Sequence, residues 1–224
     1  MSEKKYILFD HDGVLVDTEH GYYNANKKAL AELGFELDLQ VYLVDMAAGI
    51  ACWERLRAAG VDEQTIIGKR RQRDRYYRDF LRSESIAIPG VVPVLEQLSA
   101  HYKLAIVTTA KRADFELIHS QRTITRYFDF VIDNEDCSHS KPHPEPYLLA
   151  LQRFGATPEQ ALVVEDSARG LRAAVAAGID CVVVHNDFTE AQDFTGATAK
   201  IECLAQLPGL LAHYPQGLDF SSVE

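Results

Sequence analysis

Five short apolar runs punctuate the chain, each closed by polar or small residues: Tyr6–Phe9, Leu104–Val107, Phe130–Ile132, Leu162–Val164 and Cys181–Val184. Runs this short and this rich in Val and Ile fit strands buried on both faces. Between the last four lie stretches with helical periodicity, among them Glu145–Phe154 and Ala168–Ala177. Strands alternating with helices predict an α/β fold with a parallel sheet covered on both sides.

The first two runs are far apart, and the gap between them is helical in pattern. Tyr22–Leu33 and Cys52–Ala59 place apolar residues at three- and four-residue intervals, and Thr65–Leu81 is rich in Arg. Gly34 and Gly60 read as helix stops. Pro89-Gly90 marks the return to the sheet-forming part. The expected organisation is therefore a core of residues 1–16 and 87–224 with an inserted helical cap at 17–86. The tail after Pro215 has few apolar residues and is expected to fray.

The formal net charge is -10, which argues against a broad nucleic-acid-binding surface. It does not exclude an anionic substrate, because a metal and a few local cations reverse the field inside one pocket. Cys52, Cys137, Cys181 and Cys203 include no C-x-x-C pair and no zinc spacing, so they read as reduced thiols. Cys181 falls within an apolar run and reads as a core residue. No segment approaches the roughly 20 apolar residues that span a membrane, and the N-terminus lacks a signal-peptide stretch. A soluble, cytoplasmic protein is expected, with no membrane or nucleic-acid partner.

Four segments carry chemistry. In Phe9-Asp10-His11-Asp12-Gly13, two carboxylates stand two apart at a strand end, where ligands of open parallel sheets bind. One can attack phosphorus while the other handles the leaving-group proton; an Asp-Gly turn is the competing reading. In Val107-Thr108-Thr109-Ala110-Lys111, a strand ends in hydroxyls and runs into a helical pattern from Arg112. That arrangement is either a phosphate-holding helix N-terminus or an ordinary N-cap. In Ser140-Lys141-Pro142-His143-Pro144-Glu145-Pro146, the prolines fix an ammonium that can neutralise a carboxylate and phosphoryl oxygens. A surface lysine before a turn is the plainer alternative. In Val164-Glu165-Asp166-Ser167, a strand again ends in two acids. Hard oxygens from two strand ends suit Mg²⁺, and an acidic helix N-terminus is the alternative.

In this order, the four segments resemble the haloacid-dehalogenase-like hydrolases, over nearly the whole chain. The subgroup resembled has a helical cap inserted after the first motif and includes beta-phosphoglucomutase and phosphoglycolate phosphatase. The most specific stretches are Ser-Lys-Pro-x-Pro-Glu-Pro-Tyr and Glu-Asp-Ser-x-x-Gly-x-x-Ala-Ala. The resemblance implies a Rossmann-like core and a phosphatase acting on a small phosphate ester through an aspartyl-phosphate. Asp10 matches the nucleophile and a metal ligand. Asp12 matches the general acid/base and offers its backbone carbonyl to Mg²⁺. Thr108 matches the phosphate-binding hydroxyl, helped by the amides of Thr109 and Ala110. Lys141 matches the charge-neutralising lysine. Asp166 matches the metal carboxylate, and Glu165 a ligand either direct or through water. A monomer or small homo-oligomer is expected.

Other functions weigh less. A dehalogenase has no need of Asp12. A phosphonate hydrolase needs a cap lysine where Lys27, Lys28 and Lys69 do not stand. An inactive binding protein would have lost one of Asp10, Asp12, Lys141 or Asp166. A phosphomutase is the main rival. Its pattern has a histidine where this chain has Tyr22, with His20 two residues earlier. In the cap, Tyr22, Tyr23 and Asn24 read as packing residues before substrate contacts, and Trp53 reads either as core or as a stacking surface for substrate. Arg71, Arg75, Arg78 and Arg82 read as a solvated helix face, and Asp74 is spaced to pair with Arg78.

Overall fold

The computed structural model describes residues 3–213, so the tail after Pro215 lies outside the described residues. The chain divides into two compact units, one made of residues up to Val16 and from Ala87 onward, the other of Asp17–Ile86. The first opens with β1 (Tyr6–Phe9). The second follows, with α1 (Glu19–Ala31), α2 (Leu39–Ala47), α3 (Glu54–Ala58) and α4 (Glu63–Ser83). The first unit then resumes with α5 (Val91–Ser99), β2 (Lys103–Val107), α6 (Arg112–His119) and β3 (Phe130–Ile132). It continues with α7 (Glu145–Phe154), β4 (Ala161–Glu165), α8 (Ala168–Ala176), β5 (Asp180–Val184), β6 (Ala199–Ile201) and α9 (Leu207–His213).

The six strands form one parallel sheet in the order β3-β2-β1-β4-β5-β6. This is the doubly wound Rossmann-like arrangement, with the strand order reversing beside β1. Alternation divides the central strands between two cores. Ile7, Phe9, Leu104, Ile106, Leu162 and Val164 meet Val94, Leu95 and Leu98 of α5, and Leu207 and Leu211 of α9. Leu8, Ala105, Val107, Val163 and Cys181 meet Tyr147 and Leu151 of α7, and Leu171 and Ala174 of α8. Full burial of each large side chain contributes about 1.5–3 kcal/mol, which is why runs of three or four residues suffice as strands.

All five expected strands are present, three of them longer by one or two residues. The sixth, β6, was not foreseen: three residues with an exposed Lys200 at a sheet edge carry too little pattern. The helix expected at Arg112 and that at Glu145–Phe154 stand as read.

In the other unit, Gly34 and Gly60 follow helices with φ of 78° and 82°. Asp38 and Asp62 cap α2 and α4 by accepting from the amides of Val41 and Thr65. The helix expected to begin at Cys52 begins at Glu54, with Cys52 and Trp53 buried in the preceding turn. Helix α2 escaped notice because it buries Tyr42 and Asp45 while Val44 is 68% exposed, so its apolar pattern does not follow its buried face. Arg71, Arg75 and Arg82 are exposed. Asp74 pairs with buried Arg73 at 2.8 Å. Among the described residues no helix is long and apolar enough to cross a membrane.

Candidate active site

Asp10 follows the last residue of β1, and its amide continues the ladder by donating to Val164 O at 2.8 Å. The chain then turns tightly. Leu15 and Val16 donate to His11 O, and Gly13 N–H donates to Val16 O at 2.8 Å. Gly13 has φ 81°, and a β-carbon there would overlap the Asp166 carboxylate and the Asn186 amide. Glycine is required on both counts. The turn thereby brings the loop after β1 against the end of β4.

Lys141 enters from the loop before α7, after β3, and is 3% exposed. Its ammonium donates to Asp10 Oδ1 at 2.6 Å, Glu165 Oε1 at 2.7 Å and Val107 O at 2.8 Å. All three of its protons are thus engaged. Burial alone would favour the neutral amine, but the adjacent Asp10 and Glu165 charges prevail and raise its pKa. Glu165, fully buried, is lowered despite its burial, by the charge and hydrogen bond of Lys141. Asp10 is raised to about 6 by burial and then by the Glu165 charge, with Lys141 pulling the other way.

The two Glu165 oxygens accept from five donors: Lys141 Nζ, the Tyr147 hydroxyl at 2.8 Å, the amides of Asp166 and Ser167, and the Ser167 hydroxyl. Asp166 Oδ2 accepts from Asn186 Nδ2 at 2.7 Å. Asp12 Oδ2 lies 3.3 Å from His11 Nδ1 and 3.5 Å from the Thr108 hydroxyl. Thr108 Oγ1 also accepts the Ala110 amide at 3.0 Å, so that donor is engaged internally. The Thr109 hydroxyl accepts from Arg169 at 3.4 Å.

The structure therefore brings Asp10, Asp12, Thr108, Lys141, Glu165 and Asp166 to adjacent strand ends, with Thr109 and Ala110 on the loop after β2. Asp10, Glu165 and Asp166 offer carboxylate oxygens within 4.8 Å of one another. Close, hard, anionic oxygens around a single lysine fit a divalent cation such as Mg²⁺. A hollow at the opposite strand ends is lined in part by Lys4, Lys103, Asp129 and Asp180, with Lys103 paired to Asp129 at 2.9 Å and Lys4 to Asp180 at 2.7 Å. It gathers no comparable set.

Sequence reasoning assigned no role to Tyr147, Ser167, Asn186, His11 or His119. Tyr147 and Ser167 lie inside the motif stretches, so spacing could have flagged them. Asn186 follows β5 and carries no local signal.

Such a fold and donor set define a parallel α/β protein with a lysine-bridged carboxylate centre at the switch point of its sheet. Residues 7–184 match the family described as haloacid dehalogenase-like hydrolase. Protein CbbY of Cereibacter sphaeroides is 31% identical over 231 residues, spanning 96% of this chain and 97% of that protein. Fructose-1-phosphate phosphatase YqaB of Escherichia coli (strain K12) is 29% identical over 80% of this chain and 95% of its own length. The crystal structure of CbbY from Rhodobacter sphaeroides in complex with phosphate superposes with a TM-score of 0.76 at 26% identity, covering 91% of this chain and 96% of that one. The chain belongs to the haloacid dehalogenase-like hydrolase family.

Proposed function

We propose that this chain is a Mg²⁺-dependent phosphatase that hydrolyses a small phosphorylated metabolite through an aspartyl-phosphate on Asp10. Its enzyme class is phosphoric monoester hydrolase. The observation that carries the mechanism is the Lys141–Asp10 contact of 2.6 Å at the end of β1, beside Asp12 and Asp166. A carboxylate anchored by a buried ammonium, at the open edge of a parallel sheet, is a positioned nucleophile.

In the first step Asp10 attacks phosphorus, and the bond from phosphorus to the ester oxygen breaks. Asp12 gives its proton to the departing alkoxide. In the second step Asp12 takes a proton from water, the resulting hydroxide attacks the same phosphorus, and Asp10 regains its carboxylate as phosphate leaves. Thr108 and the amides after it hold phosphoryl oxygens. Ala110 must exchange its bond to Thr108 for one to the substrate. Lys141 keeps Asp10 ionised despite its burial. Bound Mg²⁺ screens the repulsion between carboxylate and phosphoryl group. Asp10, the Asp12 carbonyl and Asp166 would hold it. Glu165, with five donors on its oxygens, serves the site by anchoring Lys141.

The helical unit at Asp17–Ile86 is proposed as the cap that sets substrate choice. The named activity of YqaB supports a sugar phosphate or similar metabolite as substrate. A screen of phosphorylated metabolites, reading phosphate release with and without Mg²⁺, tests the assignment. Absence of Mg²⁺-dependent release from every ester, including an aryl phosphate, would overturn it.

A further inference from the structure

We propose that His11 is a positioning residue for Asp12, and that His119 fixes the His11 tautomer this requires. The proposal rests on reading Asp12 as the acid/base. His11 is fully buried, with Nδ1 3.3 Å from Asp12 Oδ2 and Nε2 2.8 Å from His119 Nε2. His119 closes α6, one turn after Phe115. Phe115 packs against both imidazoles, at 5.0 Å from His11 and 4.4 Å from His119 between ring centroids.

A contact of 2.8 Å between two ring nitrogens needs one N–H and one lone pair. Two arrangements satisfy it for neutral rings. In the first, His11 Nδ1–H donates to Asp12, His119 Nε2–H donates to His11 Nε2, and His119 Nδ1 carries a lone pair. In the second, His11 Nε2–H donates to His119, a lone pair on His11 Nδ1 faces the Asp12 carboxylate, and His119 Nδ1 carries a proton. His119 Nδ1 is buried with no hydrogen-bond partner. The second arrangement therefore orphans a buried N–H and, whenever Asp12 is ionised, also sets a lone pair against an anion. The first leaves one lone pair unfilled and makes both hydrogen bonds. Burial pushes His119 down to about 3, in keeping with a neutral ring.

The donor on Asp12 Oδ2 fixes the carboxylate rotamer, and it assigns proton transfer to the other oxygen. The Thr108 hydroxyl reaches Oδ2 only at 3.5 Å, so the imidazole is the closer support. His11 acts through Asp12 without touching substrate. The two histidines are 108 positions apart in sequence, and α6 delivers the second.

Imidazole nitrogen NMR of the wild-type chain near neutral pH gives a test independent of turnover. His11 should show a protonated Nδ1 and a bare Nε2, and His119 the reverse. The opposite pattern overturns the proposal. Kinetically, His11→Leu should lower kcat about tenfold on an alkyl phosphate and much less on nitrophenyl phosphate, with KM little changed. His11→Asn, whose amide N–H stands where Nδ1 stood, should recover most of the loss. Equal losses on both substrates, or no recovery with Asn, overturn the proposal. A leaving-group bias in Asp12→Ala without one in His11→Leu removes this inference alone. No bias in Asp12→Ala removes the acid/base reading and this proposal with it.

Discussion

Gly170 lies so close beneath Glu165 that a β-carbon on it would overlap the Glu165 carboxylate. The Ser167 hydroxyl links the pair, donating to Glu165 at 3.0 Å and accepting the Gly170 amide at 3.1 Å. Gly170→Ala should therefore displace Glu165 from Lys141, destabilise the protein by about 1–3 kcal/mol and lower kcat. Gly68→Ala, at a helical glycine with open space around it, should be neutral or stabilise by up to about 1 kcal/mol. Urea unfolding and phosphate release on both variants check this, and equal behaviour of the two would refute the packing argument.

Asp10→Asn should abolish turnover and leave the fold intact, because an amide neither attacks phosphorus effectively nor brings a full charge to the cation. The far-UV spectrum should match wild type. Sustained hydrolysis by the purified variant would exclude a covalent intermediate on Asp10.

Turnover should require Mg²⁺ and stop when a chelator removes it. Ca²⁺ should replace it poorly, since its longer bonds and higher coordination number disturb in-line geometry. The check is the rate after exhaustive chelation and after each ion is added back; an unchanged rate in metal-free buffer contradicts the proposal.

Asp12→Ala should lose more rate on alkyl phosphates than on nitrophenyl phosphate. A poor leaving group needs a delivered proton, whereas nitrophenolate departs with little help. Some loss on both is expected, because the proposed second step also uses Asp12 to activate water. Losses of equal size would leave Asp12 with a structural role only.

Hydrolysis should outpace any mutase activity. A mutase must shield its phospho-aspartate from water while a sugar intermediate turns round. The residue at the position where mutases carry a gating histidine is Tyr22, whose hydroxyl instead accepts from Arg73 at 2.7 Å. The assay supplies glucose 1-phosphate with a trace of glucose 1,6-bisphosphate. Glucose 6-phosphate appearing faster than phosphate would reverse the assignment.

The strands were legible because Ile7, Leu8, Phe9 and their neighbours are buried on both faces, leaving unbroken apolar runs. Asp10, Asp12, Thr108, Lys141, Glu165 and Asp166 were legible because each follows or closes such a run, or is flanked by prolines. What escaped depends on contacts between distant segments. The His11–His119 contact joins the first loop to the end of α6, and Asn186 meets Asp166 only because β4 and β5 are neighbours. Arg73 was not singled out within the Arg-rich stretch Thr65–Leu81, yet it is buried, donating to Tyr22 and Asn26. Its spacing from Ile66, Tyr77 and Leu81 puts it on the buried face of α4, but a charged side chain there adds no apolar signal.

The two chain crossings between the units run side by side: Val16 bridges to Ala87, and the Asp17 amide donates to Ile86 O at 3.0 Å. The excursion thus begins and ends at almost one point. For the sheet, this bears on the order of assembly. β1 must pair with β2 across a long intervening stretch, and closing a loop costs about 0.6 kcal/mol more for each doubling of its length. If the helices of Asp17–Ile86 fold first, their ends come together, and the loop the sheet must close is roughly fourfold shorter. The saving is about 1.2 kcal/mol, enough to let the central strand pair form as though the insertion were a short turn.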